Sequence, residues 1–85
     1  MDKIIIDVRE PHEYLQGHVD GSINIPHTQI GSSIAKLDTL NKETQIIVYC
    51  QSGARSAAAA DVLRNLGYNN VVNGINQASV EAKYL

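Results

Sequence analysis

Ile46-Ile47-Val48-Tyr49-Cys50-Gln51-Ser52-Gly53-Ala54-Arg55-Ser56 is the stretch around which the chain is organised. The first four residues are apolar and largely β-branched, the pattern of a strand buried on both faces. That strand delivers the only cysteine of the protein onto a short polar loop, and a helix starts at once through Ala57-Ala58-Ala59-Ala60. A strand, a loop that begins with Cys50 and a helix N-terminus form a place where an anion can sit against backbone N–H groups. A thiol held there has its thiolate favoured.

The flanking sequence supplies the rest of an α/β chain. Lys3-Ile4-Ile5-Ile6-Asp7-Val8 reads as a second strand covered on both faces. Pro11 suits the first turn of a short helix and Gly17 suits its end. His18 to Gly21 reads as a turn. Ser22-Ile23-Asn24-Ile25 alternates as a short strand closed by Pro26. From Thr28 to Leu37, Ile30, Ile34 and Leu37 fall at helical spacing, although Gly31-Ser32-Ser33 weakens that helix. Asp38 to Thr44 is a polar connection.

Beyond the central stretch, Ala59, Val62, Leu63 and Leu66 recur at i, i+3, i+4 and i+7, with Asp61, Arg64 and Asn65 opposite. The four-alanine run reads as close packing of this helix on a sheet. Gly67 is placed as its C′ residue. Val71-Val72 is a last short strand, Asn73-Gly74 a turn, and Ile75 to Leu85 a terminal helix with Val80 and Tyr84 inward. Strands alternating with helices predict an open, mainly parallel sheet with helices on both faces.

Composition narrows the function. Eighty-five residues make one domain spanning 1–85, with a hydrophobic fraction of 44%. There is no Trp or Phe, so the core is aliphatic, with Tyr14, Tyr49, Tyr68 and Tyr84 as the aromatics. Net charge is −2 with Lys and Arg scattered, which argues against a nucleic-acid partner. No apolar run approaches the ~20 residues of a membrane span. The sequence opens Met1-Asp2-Lys3 and enters a strand without a visible signal peptide. One cysteine excludes an internal disulfide and a multi-cysteine metal site within one chain.

In a parallel sheet, ligands bind beyond the carboxyl ends of the strands. Asp7 and Cys50 end the two strongest strands and therefore approach the same edge. Gly53 permits a positive φ, so that successive N–H groups of the loop Gln51-Ser52-Gly53-Ala54-Arg55 can converge on one point. Arg55 adds a full positive charge. No histidine lies in the loop, so Cys50 reads as a thiolate activated electrostatically, with His12, His18 or His27 able to reach it only through the fold. The alternative is an inert core cysteine, but such a residue would sit inside a strand, not at its end. Arg9 and Glu13 are four apart and can pair on a helix, for ~0.3–0.5 kcal/mol. Asp7 either bonds backbone N–H groups near the site or simply ends its strand. His18 reads as a turn residue.

Three segments resemble the rhodanese (thiosulfate sulfurtransferase) family. Asp7-Val8-Arg9 resembles its opening Asp-Val-Arg motif. Gly17-His18-Val19-Asp20-Gly21-Ser22-Ile23-Asn24-Ile25-Pro26 is similar to its Gly-His-Ile-x-Gly-Ala-x-Asn-Ile-Pro motif. Cys50 to Ser56 is similar to its Cys-x-x-Gly-x-Arg-Ser loop, and Leu66-Gly67-Tyr68 followed by Val71-Val72 resembles the passage after it. The chain lacks the family's additional leading strand and helix, and has one glycine, Gly74, where a Gly-Gly pair and a Trp are usual. The short build resembles single-domain rhodaneses of the phage-shock protein E type, which implies a periplasmic location beside the cytoplasmic alternative.

The resemblance implies that Cys50 takes the outer sulfur of thiosulfate and carries it as a persulfide cradled by residues 51 to 56, with no metal or cofactor. The acceptor is cyanide, a thiol or a dithiol, and the protein acts as a monomer. Arg55 would hold the loop or attract the dianionic donor, and Arg9 and Asp7 would support it. Two other readings stand beside this one: a persulfide carrier or partner-binding module, and a cysteine phosphatase or arsenate reductase of the same fold. The latter use Cys-x5-Arg, whereas Cys50 to Arg55 is Cys-x4-Arg, a smaller cradle suited to one sulfur atom.

Overall fold

In the computed structural model, residues 3–37 and 40–85 are described, so Asp38 and Thr39 of the expected polar connection lie outside them. Four strands, β1 (Lys3–Asp7), β2 (Ile23–Asn24), β3 (Gln45–Cys50) and β4 (Val71–Asn76), form one parallel sheet in the order β2-β1-β3-β4. The chain runs from β1 outward to β2, then crosses back over β1 to β3. The direction of winding therefore reverses between β1 and β3, the point where open α/β sheets bind ligands. Asp7 and Cys50 end those two strands.

Alternation sorts the side chains onto two faces. Ile6, Val8, Ile46, Val48 and Cys50 share one core layer with Ile30, Ile34, Ala59, Ala60 and Leu63. Ile5, Ile47 and Tyr49 share the other with Val19 and Val80, and Val72 and Tyr84 pack against them. The helices α2 (Ile30–Ser33) and α3 (Ala54–Asn65) cover the first face, and α4 (Gln77–Tyr84) covers the second. The expected open parallel sheet with helices on both faces is the one observed.

Four expectations change in detail. The buried stripe of α3 is Ser56, Ala59, Ala60 and Leu63, while Val62 and Leu66 are 37% and 44% exposed. The apolar spacing is right but the stripe lies one step round the helix, with Ser56 buried at its start beside Cys50 and Asn73. Ala57 and Ala58 face solvent, so only half of the alanine run packs on the sheet. Thr28 to Leu37 is not one helix: α2 is a single turn between 3₁₀ turns at His27–Gln29 and Ile34–Lys36. Gly31-Ser32-Ser33 are poor helix formers, yet Ile30 and Ile34 are still buried.

The fourth correction matters most for the site. Asn73-Gly74 is no turn, and Ile75 does not open the last helix. β4 continues to Asn76 through a bulge in which Asn73 pairs with Val48 and Ile75 with Tyr49, leaving Gly74 over. A Cβ at Gly74 would lie 2.6 Å from Val80 Cγ2, 3.0 Å from Ile47 Cγ2 and 3.2 Å from the Val48 carbonyl. Only glycine fits there. The bulge forces Ile75 to φ 76°, a strained value for a β-branched residue. Asn76 then caps α4, accepting a hydrogen bond from Ser79 N–H at 2.9 Å.

Candidate active site

Cys50 is the last residue of β3, and its side chain points toward the first turn of α3. The loop 51–53 turns the chain through Gly53, whose φ of 99° is available to glycine without strain. That turn aims the Gly53 N–H at Cys50 Sγ at 3.1 Å, and the Ser56 N–H follows at 3.4 Å. Ser56 Oγ also lies 3.4 Å from the sulfur. The residue is 2% exposed, so the sulfur forms the floor of the cradle.

Burial pushes the Cys50 thiol up, but the hydrogen-bonding groups around it outweigh burial and leave it at about 7, below its ordinary 9.0. Those groups are the Ser56 hydroxyl and N–H and the N–H groups of Gly53 and Ser52. Among the described residues, the hydrogen-bond partners of the sulfur include no histidine. This arrangement can hold a thiolate, or an anionic sulfur attached to it, at neutral pH.

Arg55 reaches from the start of α3 to α1 (Pro11–Leu15). Its guanidinium grips Glu13 with two hydrogen bonds, Nη1 to Oε1 at 2.7 Å and Nη2 to Oε2 at 3.0 Å. This pair, 42 residues apart in sequence, ties α1 to the mouth of the loop. The Arg55 hydrogen bond, with a second from Glu10 N–H, holds the Glu13 carboxyl at about 2, below its usual 4.5. Glu13 therefore pairs with Arg55, and the expected Arg9–Glu13 helix pair does not form. Arg9 lies before α1, in the turn that leaves β1, and points back to Asp7.

Asp7 is fully buried, on the face opposite Cys50. Its Oδ1 accepts from Arg9 N–H and Nε at 2.9 Å each, and its Oδ2 from Arg9 Nη2 at 2.6 Å. Tyr49 Oη donates to Asp7 Oδ2 at 2.9 Å and accepts from Val19 N–H at 3.0 Å. Asp7 thus does bond a backbone N–H, but in a network under the sheet, not at the sulfur. His18 stacks on Tyr14 with ring centroids 3.6 Å apart, and its Nδ1 lies 2.8 Å from the Tyr14 carbonyl, as a turn residue.

Two further residues brace the site, Asn24 of β2, which the sequence marks only as a strand and motif residue, and Asn73, which it marks as a turn. Asn73 accepts from Ser56 Oγ at 2.6 Å and donates to the Gly53 carbonyl at 3.2 Å, binding the loop to β4. Asn24 donates to the carbonyls of Asp7 and Arg9, at 3.0 Å each, and fixes the end of β1. The Gly17–Pro26 motif is the one sequence signal that marks Asn24, whereas Asn73 carries only the pattern of an ordinary turn residue.

Residues 1–76 match the family model described as the Rhodanese-like domain. The thiosulfate sulfurtransferase PspE of Escherichia coli is 41% identical over 68 residues, covering 80% of this chain and 64% of that protein. A Bacillus subtilis protein described as a sulfur carrier, YrkF, is 36% identical over 69 residues, covering 81% of this chain and 36% of that one. The chain thus spans less than two thirds of either relative. A solved structure described as rhodanese with anions from E. coli superposes with a TM-score of 0.83 at 36% identity, over 91% of this chain and 89% of the other.

Proposed function

Because the chain belongs to the rhodanese-like family, we propose that it is a single-domain sulfurtransferase that passes a sulfane sulfur through a persulfide on Cys50. The observation that carries this reading is the sulfur's setting: Cys50 Sγ lies 3.1 and 3.4 Å from the N–H groups of Gly53 and Ser56, with no histidine bonded to it among the described residues.

In the first step the Cys50 thiolate attacks the outer sulfur of thiosulfate. The S–S bond of the donor breaks, its electron pair leaves with sulfite, and Cys50 carries –S–S⁻. In the second step an acceptor thiolate attacks the terminal sulfur. The Cys50 Sγ–S bond breaks, the acceptor leaves as a persulfide, and the Cys50 thiolate returns. Charge and sulfur balance in both steps without metal or redox cofactor. The N–H groups of residues 51 to 56 stabilise the anionic sulfur, as donors fixed before the reaction do. Arg55 holds the cradle to α1, and Asp7 and Arg9 support the floor from the opposite face.

Orientation of Arg55 also weighs against phosphate chemistry. A phosphatase loop needs its arginine on the bound oxyanion, and here both guanidinium arms are spent on Glu13. The sulfur-carrier relative favours a second reading within the same chemistry, in which the acceptor is a thiol on another protein.

Whole-protein mass spectrometry after incubation with thiosulfate tests the proposal. The expected result is a gain of one sulfur atom with release of sulfite, removed by cyanide or a dithiol. Cys50→Ser is expected to abolish the gain; a gain that survives the substitution overturns the mechanism. Sulfite release should rise about tenfold per pH unit below about 7 and level off above it, as thiolate formation becomes complete.

A further inference from the structure

Asn73 stands on the bulge of β4, with its amide oriented by two groups that cannot exchange roles. The Ile75 N–H only donates, and it meets Asn73 Oδ1 at 3.0 Å. The Gly53 carbonyl only accepts, and it meets Asn73 Nδ2 at 3.2 Å. Oδ1, an acceptor, is therefore the atom 2.6 Å from Ser56 Oγ, and the hydroxyl must give it a proton. Ser56 has one such proton. It is buried, and its other neighbours are the Gly53 carbonyl at 3.2 Å and Cys50 Sγ at 3.4 Å. The Gly53 carbonyl already accepts from Ala57 N–H at 2.9 Å.

While Cys50 is a neutral thiol these bonds are compatible: Ser56 donates to Asn73, and the thiol donates to a lone pair of Ser56. Once the sulfur is negative, it competes for that one proton with Asn73 Oδ1 at 2.6 Å and, at the longer distance of 3.2 Å, with the Gly53 carbonyl. We propose that Asn73 is a positioning residue for Cys50: it claims the Ser56 hydroxyl proton while the sulfur is neutral and yields it when negative charge forms there.

Asn73 thereby competes with the thiolate and keeps it from being over-stabilised. A thiolate loses nucleophilicity as it becomes less basic, so the competition preserves attacking power. In the sulfurtransferase reading on which this consequence rests, the same proton swings to Sγ as the Sγ–S bond breaks and charge returns to Cys50. The strain at Ile75 has a use in this arrangement, because the bulge is what aims the Ile75 N–H at Asn73.

The test is the rate of Cys50 alkylation by iodoacetamide against pH, in a protein where this is the only cysteine. Asn73→Ala removes the nearest competing acceptor, leaving the Gly53 carbonyl at 3.2 Å as the weaker one, and is expected to lower the apparent Cys50 pKa by about half a pH unit or more. Ser56→Ala is expected to raise it, and adding Asn73→Ala to Ser56→Ala should change nothing further. The charged and titratable groups around the sulfur stay in place in each variant: Arg55 with Glu13, Glu10 on the α1 side, and Asp7, Arg9 and Tyr49 across the sheet. If Asn73 only holds the loop together, Asn73→Ala raises the pKa or leaves it unmoved, with or without Ser56, and the proposal is overturned.

Should Asn73→Ala fail to fold, Asn73→Asp keeps the shape. Its added charge raises the Cys50 pKa, and the rise should shrink by half or more in the Ser56→Ala background; an undiminished rise overturns the proposal. Alkylation needs no sulfur donor. Failure to form a persulfide alongside these pKa shifts would therefore count against the sulfurtransferase reading and leave the role of Asn73 standing.

Discussion

Two polar centres sit back to back at the carboxyl edge of the sheet, and they are built on opposite principles. Under the sheet, the Asp7 carboxylate is saturated: Arg9 grips it from side chain and backbone, and Tyr49 adds a hydroxyl. Above it, the hydrogen-bonding partners of Cys50 among the described residues are backbone N–H groups and a hydroxyl already engaged elsewhere. Full pairing makes a buried charge inert and structural. Loose, preformed donors around a polarizable sulfur leave it able to react. Adjacent strand ends in one register, Asp7 opposite Tyr49 and Cys50 one residue on, thus carry a brace and a reactive group.

The sharpest way to break this contrast is to unpair the brace. Asp7→Ala leaves Arg9 without its partner beneath the sheet and should cost about 3–5 kcal/mol in urea unfolding. The Cys50 alkylation profile of the protein that remains folded should barely move. If it shifts as strongly as the stability falls, the two faces are one coupled unit and the contrast fails.

A smaller effect comes from the bulge that joins the faces. Gly74→Ala drives a methyl into Val80, Ile47 and the Val48 carbonyl. It should cost about 1–3 kcal/mol and slow persulfide formation as well, because Asn73 and Ile75 flank it. Loss of stability with an unchanged rate would show that the cradle tolerates movement of β4.

The mildest test is Glu13→Gln, which loosens Arg55 at a partly exposed pair and should cost roughly 1 kcal/mol or less. The sign of its pH dependence is fixed. Glu13 titrates at about 2 when folded, against 4.5 ordinarily. Its stabilisation is complete above about 4.5 and disappears as pH falls through about 2. Thermal melts from pH 5 down to 2 should show that loss in the parent protein and a flatter response in the variant.

Much of this was legible in the residues. Lys3 to Val8 and Gln45 to Tyr49 read as covered strands because β-branched runs have few other uses. Gly67 ends α3 as anticipated, with φ 100° and Tyr68 N–H bonded to the Leu63 carbonyl at 3.1 Å. Val80 and Tyr84 face inward on α4. The pairing of charges was not legible. Arg9 sits four residues before Glu13, which suggested a helix pair. Each instead found a partner set by the path of the chain: Asp7 beneath the sheet, and Arg55 across the mouth of the loop.

Local periodicity, turn chemistry and motif spacing therefore carried β1, β2, β3 and the start of β4, the end of α3, the family and the place of Cys50 at a strand terminus, because each depends on neighbours a few residues away. The faces on which Asp7 and Cys50 point, the bulge at Gly74, the left-handed backbone of Ile75 and the hold of Asn73 on Ser56 came from the packed molecule. They depend on register between strands and on the space α4 leaves beneath β4. No pattern within a short window of sequence records either.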